Sequence, residues 1–215
     1  MTSNSNQDDG NASAPKSSTP PEAAGTAIND FFEVVETTRS VRKRLDYDRR
    51  IPPELIERCI DAAVQAPTGL NREAWRFLVL TDPEPKAQVA ELYRASMQGL
   101  QERVRDRLPP ELRDQPLPGD KPTYVGLAEN MHRMPALILV CSDGRATSED
   151  AAMQVAFYGS VLPAAWSLML SLRASGLGTT WTTLLVAEEA RVAAALGIPE
   201  NVTQTILLPV AYTKG

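Results

Sequence analysis

The sequence predicts a helix-rich α+β domain in which helices surround one sheet of about four strands. Three observations carry this. Ala151 to Leu172 holds no charged residue in a chain otherwise well supplied with charge, which is the mark of a helix buried on most sides. Pro135 to Cys141 (PALILVC) is a continuous apolar run of strand length, as in the middle of a sheet. The chain contains neither a G-x-G-x-x-G after a strand nor a Walker A sequence, so the elements do not spell a Rossmann or P-loop unit.

Taken in order, residues 1–26 are rich in Ser, Asn, Pro and Ala with few large apolar residues, and they lack the basic start and apolar core of a secretory signal. They are expected to form a disordered tail ahead of one domain over 27–215. Asn29 is placed to cap a helix from Asp30 to about Thr38, with Phe31, Val34 and Val35 on one face. Pro52-Pro53 opens a second helix, with Leu55, Ile56, Cys59, Ile60 and Ala63 at helical spacing. It ends in the loop Ala66 to Asn71. Trp75 to Thr81 reads as a strand, with Trp75 in the core. Lys86 to Arg107 is a long amphipathic helix. Pro109 to Pro122, rich in Pro and Asp, is expected to be a mobile segment of the kind that covers sites. After the apolar strand, Thr147-Ser148-Glu149-Asp150 has the capping-box spacing that starts the uncharged helix. Gly176 to Thr183 is a turn running into a threonine-rich strand. Ala187 to Leu196 is a short helix stopped by Gly197, and Val202 to Tyr212 is the last strand. No internal repeat is present.

The uncharged helix is long enough to cross a bilayer, but Gln154, Tyr158, Ser160, Ser167 and Ser171, the interruptions at Gly159 and Pro163, and the lack of a Lys/Arg-rich flank argue against a membrane span. In 215 residues it is hard to cover fully, and a second subunit is the natural way to finish the job. With 27 acidic and 22 basic residues, a net charge of −5 argues against nucleic-acid binding. Cys59 and Cys141 each lie in an apolar segment, as reduced core thiols do, which points to the cytoplasm. His132 is the one histidine in the chain, so neither a zinc site nor a Ser-His-Asp triad is expected, and no G-x-S-x-G elbow occurs. The chemistry therefore belongs to a cofactor.

Three stretches carry candidate binding groups. Arg39 to Arg50 gathers six cations against two anions in an acidic chain, and Arg39, Ser40 and Arg42 in an extended segment form either a solvated basic turn or a grip on phosphate. Thr68 and Asn71 offer a hydroxyl and an amide three apart in a Gly/Pro-fixed loop, or a plain connection. Gly176 to Thr183 offers Trp181, Thr182 and Thr183 to a planar ring, or is a structural strand.

Together these stretches resemble the nitroreductase family, the flavin enzymes that also include flavin reductases and iodotyrosine deiodinases. The markers fall in family order: R-S-V-R at Arg39 to Arg42, A-P-T-G-L-N-R-E-A-W-R-F at Ala66 to Phe77, the segment Pro163 to Trp181, and L-G-I-P-E at Leu196 to Glu200 before the final strand. The resemblance implies a nitroreductase-like α+β fold with a mostly antiparallel central sheet surrounded by helices, and an intertwined homodimer with FMN at its interface. It implies that Arg39, Ser40 and Arg42 hold the phosphate, ribityl chain and pyrimidine edge, that Thr68 and Asn71 reach over from the other subunit, and that Trp181, Thr182 and Thr183 lie along the ring. The implied activity is transfer of hydride from NADPH or NADH through the flavin to a small nitroaromatic or quinone acceptor, by a ping-pong route. Reductive dehalogenation, with Glu91, Tyr93, Arg94 and Glu102 as clamp, and non-catalytic flavin binding are the alternatives. Tyr93 to Tyr124 would form the lid. The chain departs from the family pattern at Thr38 (often Arg), at Glu73-Ala74 (often Gln-Pro), at Trp166-Ser167 (often Gln-Asn), and after Tyr212, where Lys214 is the one cation.

Overall fold

The computed structural model describes residues 27–117 and 120–214, so the expected tail over 1–26 lies outside the described residues. The described chain forms helices α1 (Phe31–Thr37), α2 (Pro53–Ala63), α3 (Pro83–Arg107), α4 (Pro122–Asn130), α5 (Ala151–Ala174) and α6 (Glu189–Leu196). Its strands are β1 (Leu45–Asp46), β2 (Trp75–Leu80), β3 (Ala136–Asp143), β4 (Leu177–Thr179) and β5 (Val202–Thr213). The five strands make one sheet with the order β1-β5-β3-β2, and β4 also pairs with β5. Every pairing is antiparallel. This is the α+β class and the nitroreductase-like architecture that the sequence implied.

β3 explains the layering. Its residues alternate between two cores, as side chains of a strand must. Ala136, Ile138 and Val140 join Ile206, Leu208 and Val210 of β5 under α2 and α5. Leu137, Leu139 and Cys141 face the other way, with Leu207 and Ala211, toward α3, α4 and α6. A strand covered on both faces has no polar side to show, hence the unbroken apolar run. Cys59 and Cys141 are buried and unpaired. Burial pushes the Cys141 thiol up to about 12, so it serves as packing rather than as a nucleophile.

Several boundaries differ from expectation. Asp30, not Asn29, caps α1, because its carboxylate accepts from Glu33 N at 2.8 Å. Of the expected apolar face only Val34 is buried, while Phe31 and Phe32 are exposed. α3 starts at Pro83 rather than Lys86, since proline suits a first turn whose N–H groups have no partner. The stretch expected to be mobile holds a short 3-10 turn, Pro110–Leu112, and leads into the unforeseen α4; Pro118 and Gly119 within it lie outside the described residues. Asp150 itself caps α5 by accepting from Ala152 N at 2.9 Å, in place of the expected Thr147 capping box. β4 ends at Thr179, because Thr182 meets β5 only as an isolated bridge to Leu207. A 3-10 turn, Leu184–Glu188, then precedes α6.

α5 has the length and apolarity of a membrane span. Its second half, however, is buried against this chain's own sheet and α2, through Val161, Ala164, Ala165, Leu168, Met169 and Leu172. Its first half is mostly exposed, so the expectation of burial on most sides holds within the chain for one half only.

Candidate functional site

The basic segment after α1 is laid down by two features. Thr38 leaves the helix with extended backbone, and its buried hydroxyl donates back to Val34 O at 2.6 Å. Val41 N then donates to Thr179 O at 2.9 Å, which docks the segment on the end of β4. Gly178 makes this approach possible. A Cβ there would stand 2.8 Å from Thr213 Cγ2 and 3.2 Å from Val41 Cβ, closer than side-chain carbons tolerate.

Held in this way, Arg39 and Ser40 line a cavity of about 690 Å³ together with Thr38, Trp181, and Leu162, Pro163, Trp166 and Met169 of α5. The α5 contributors recur at helical spacing and form one stripe. Arg39 Nη1 donates to Thr38 O at 2.7 Å, which keeps its guanidinium near the cavity's polar end.

A second, smaller cavity of about 430 Å³ shares Ser40 with the first. Val41, Arg42 and Lys43 line it on one side, and Lys121, Thr123 and Tyr124 at the start of α4 on the other. The Arg42 guanidinium lies 4.6 Å from the centre of the Tyr124 ring, a cation–π distance. Behind it, Tyr93 of α3 and Thr182 share a hydrogen bond of 3.3 Å between their hydroxyls. Burial raises the pKa of the Tyr93 phenol, against smaller opposing effects of the Thr182 bond and the Arg42 charge, so Tyr93 is neutral at physiological pH.

Of the residues expected to bind, Arg39, Ser40 and Trp181 come together at the larger cavity, and Ser40 and Arg42 at the smaller. Thr182 and Thr183 line neither. Thr182 is tied to Leu207 by a pair of backbone bonds, and Thr183 opens the 3-10 turn. Thr68 and Asn71 also lie elsewhere within this chain. Gly69 N donates to Ser160 Oγ on α5 at 2.9 Å, and Thr68 Oγ1 accepts from Glu73 N at 3.3 Å. Leu70, Asn71 and Glu73 all take positive φ in that loop, which leaves Leu70 95% exposed at its tip. Glu91, Tyr93, Arg94 and Glu102 do not gather at one point. Tyr93 turns inward to Thr182, Arg94 reaches Ala128 O at 3.5 Å, and Glu91 and Glu102 face outward. Lys214 pairs with Asp46 at 3.5 Å and lines neither cavity.

Leu162, Met169, Lys121 and Thr123 were not among the expected site residues. The first two could have been found from the stripe they make with Trp166. Lys121 and Thr123 fall inside the expected lid, Tyr93 to Tyr124, with no signal of their own beyond Pro122, which suits the first turn of a helix.

The fold and these motifs place the chain among known proteins. A match to the nitroreductase family ("Nitroreductase") spans residues 35–212, and the chain belongs to that family. Among curated proteins it is 30% identical over 186 residues to iodotyrosine deiodinase 1 of Mus musculus, covering 85% of this chain and 62% of the mouse protein. It is 31% identical over 190 residues to the iodotyrosine deiodinase of Drosophila melanogaster, covering 86% and 62%. The chain thus spans less than two thirds of the length of these deiodinases. A putative NADH dehydrogenase/NAD(P)H nitroreductase of Methanothermobacter thermautotrophicus is 23% identical over 185 residues, covering 85% of this chain and 77% of that protein. Among solved structures, an oxidized iodotyrosine deiodinase bound to FMN and 3-iodo-L-tyrosine superimposes with a TM-score of 0.68 at 23% identity, over 86% of this chain and 90% of that one. A BluB-like flavoprotein from Clostridium difficile 630 does so with a TM-score of 0.63 at 18% identity, over 86% and 90%.

Proposed function

We propose that this chain is an FMN-dependent oxidoreductase that works as a homodimer, taking electrons from NADPH or NADH and passing them to a small aromatic acceptor of the nitroaromatic or quinone type. The observation that carries this reading is the larger cavity, whose apolar wall from α5 and Trp181 faces the polar edge of Arg39 and Ser40. Its volume of about 690 Å³ is of the size that encloses a cofactor. The residues present fit FMN. Arg39 and Arg42 suit phosphate or an electron-rich ring edge, and Ser40 supplies a hydroxyl. The buried Thr180 hydroxyl, next to Trp181, has no hydrogen-bond partner among the described residues.

FMN, when bound, supplies the hydride and electron transfer that none of these side chains can perform. The chain's part is to bind, orient and exclude water. Leu162, Pro163, Met169 and Trp181 dry one side of the cavity. Arg42, steadied over Tyr124, sets a positive charge on the wall of the smaller cavity, next to the shared Ser40, where it favours negative charge as it develops. Neutral Tyr93 holds Thr182 through their shared hydrogen bond.

The homodimer is supported by what the single chain leaves bare. Met153, Val155 and Tyr158 on the first half of α5, and Trp166 at the cavity's rim, are exposed. The loop carrying Thr68 and Asn71 stands beside that face with Leu70 at its tip. In the dimer this loop would deliver Thr68 and Asn71 to the partner's cavity. The unpaired buried thiols suit a reducing cytoplasm.

Reductive dehalogenation of a halogenated aromatic is the second reading, favoured by the likeness to the mouse and fly deiodinases. It ranks second because Glu91, Arg94 and Glu102 do not converge into a clamp.

The test is an absorbance spectrum of the purified protein, followed by NADPH or NADH without oxygen. A yellow protein that bleaches and then reduces a nitroaromatic is the expected result. A colourless protein that oxidises no nicotinamide when FMN is supplied would overturn the proposal. Bound flavin that no nicotinamide bleaches would make this a flavin-binding protein, and faster turnover of 3-iodotyrosine than of a nitroaromatic would promote the second reading.

A further inference from the structure

We propose that Arg76, paired with Asp143, is the positioning residue that fixes the loop carrying Thr68 and Asn71 in the shape in which it meets the flavin of the partner subunit. The proposal rests on the homodimeric flavoenzyme reading and deepens it by naming what holds the contributed loop in place.

The loop needs a hold. Leu70, Asn71 and Glu73 take φ of 56, 53 and 48°, a left-handed region that non-glycine residues seldom enter unless their surroundings impose it. Leu70 is exposed at the tip, so packing of its side chain imposes nothing there. The loop is fastened at its ends. At the near end Gly69 N donates to Ser160 Oγ on α5 at 2.9 Å. At the far end Asp143 N donates to Ala74 O at 2.8 Å, tying the loop to the last residue of β3. Between them stands Glu73, whose N–H donates to Thr68 Oγ1 at 3.3 Å. Thr68 only accepts in that bond and keeps its own hydrogen to give.

Arg76 holds Glu73. Side chains alternate along β2, so Trp75 enters the core and Arg76 faces solvent. From there Arg76 Nη1 donates to Glu73 O at 3.3 Å and to Trp75 O at 2.7 Å, while Nη2 pairs with the Asp143 carboxylate. A guanidinium can do this because its donors lie in one rigid plane. Glu73 is thus gripped by Arg76 at its carbonyl and grips Thr68 through its N–H. Asp143 is itself set by strand pairing, with Val202 of β5 as its register partner, so it gives the guanidinium a fixed seat. The ion pair is largely solvent-exposed and adds little to global stability. What it supplies is the choice of one loop shape. Its loss should therefore show at the flavin and hardly at all in unfolding.

The experiment uses the flavin-loaded full chain and reads the release of FMN on dilution, with denaturation and sedimentation on the same preparations. Arg76→Ala should weaken flavin binding roughly fivefold, as expected for one coupled pair, with the unfolding midpoint and the dimer unchanged. Asp143→Asn should act in the same direction and add nothing in the Arg76→Ala background. Because Arg76 acts through Thr68 and Asn71, Arg76→Ala should also add nothing once both of those are replaced by alanine. Arg191→Gln, which breaks the exposed pair with Glu188, should leave flavin binding intact. Parent affinity in Arg76→Ala, where Thr68→Ala and Asn71→Ala weaken binding, would overturn the brace alone. An effect of Arg76→Ala that persists without Thr68 and Asn71, or that comes with loss of the dimer, would overturn it too, by giving Arg76 a different task. A dimer in which neither the loop variants nor Arg76→Ala alters flavin binding would overturn both the brace and the delivery of this loop across the interface. A colourless protein that takes up no FMN would overturn the flavoenzyme reading and the brace together.

Discussion

The two halves of α5 are built from the same kinds of residue and live in different surroundings. Val161, Leu168, Met169 and Leu172 in the second half are buried among α2, β3, β4 and β5. In the first half Met153, Val155 and Tyr158 are exposed, and the contacts with the rest of the chain include Gly69 at Ser160 and Gly144 near Phe157. Pro163, which gives no N–H to the helix ladder, lies close to where one environment passes into the other. The difference teaches that apolarity in a sequence marks a surface suited to burial, and does not say whether its own chain buries it. The larger cavity opens at this boundary, with Pro163 and Trp166 on its wall.

The sharpest way to break the comparison is to cut into the buried half. Leu168 is fully buried in the α2–α5 core. Leu168→Ala should cost about 2–5 kcal/mol in chemical denaturation, because a packed cavity there has little freedom to collapse. A loss under about 1 kcal/mol would mean that the half is not the core it resembles.

The next effect lies where that half hands over to β4. Gly178→Ala puts a carbon 2.8 Å from Thr213 Cγ2 and 3.2 Å from Val41. Overpacking of this kind costs about 1–3 kcal/mol. Since Val41 must move, Arg39, Ser40 and Arg42 move with it, and flavin affinity should fall alongside stability when both are measured on the same preparation. A variant that loses stability and keeps its flavin would show that the arginine segment is not set by its contact with β4.

The exposed half is tethered just ahead of its start, and this tether should respond to acid. Arg145 makes two bonds to Glu189, at 2.8 and 2.7 Å, and a third to Val202 O at 2.9 Å. The Arg145 bonds, aided by Gln204 N and opposed by burial, hold the Glu189 carboxyl below its ordinary range. A carboxylate whose folded pKa is depressed adds stability that is present above its unfolded value, about 4.3, and is lost as pH falls through the folded one. Hydrogen exchange over 144–150 should therefore speed up below about pH 4, and Glu189→Gln should raise the rate at neutral pH and flatten the acid response. An unchanged acid response in Glu189→Gln would place the tether elsewhere, for example in the Thr203 Oγ1 bond to Gly144 O at 2.8 Å.

What the sequence made legible follows from where each signal resides. β3 and α5 were readable because their apolar runs exceed what a surface element carries, and the R-S-V-R segment because cations are crowded in an acidic chain. α4 was not. Its nine residues follow a Pro/Asp-rich stretch and include Gly126, so nothing local marks them as helix. β1 has two residues and exists through pairing with Tyr212 and Thr213, which only the fold supplies. Asn29 and Asp30 are both good caps, and the choice depends on which one stands three before Glu33. The same limit applies to the site. Arg39, Ser40 and Trp181 were visible as motif residues, whereas Tyr124 meets Arg42, and Lys121 shares its cavity, across some eighty positions of sequence. Thr68 and Asn71 were visible as a loop motif, but the bond of that loop to Ser160 on α5, 91 positions away, is supplied only by the fold.

The exposed face of α5 gives the smallest effect on folding and the clearest on assembly. Val155 is 72% exposed on the first half of α5, so Val155→Lys removes almost no packing from its own chain. At concentrations where the chain is a monomer, its unfolding free energy should stay within about 0.5 kcal/mol of the parent. If a second copy covers this face, the same lysine must be desolvated without a partner, which costs several kcal/mol. Sedimentation should then report a dimer for the parent and a monomer for the variant at the same concentration. If, as proposed, Thr68 and Asn71 serve the cavity of the other subunit, flavin should be lost with the dimer. A parent protein that sediments as a monomer and still holds flavin would mean that the cavity beside Trp166 is closed by its own chain, and that the bare half of α5 serves some purpose other than self-association.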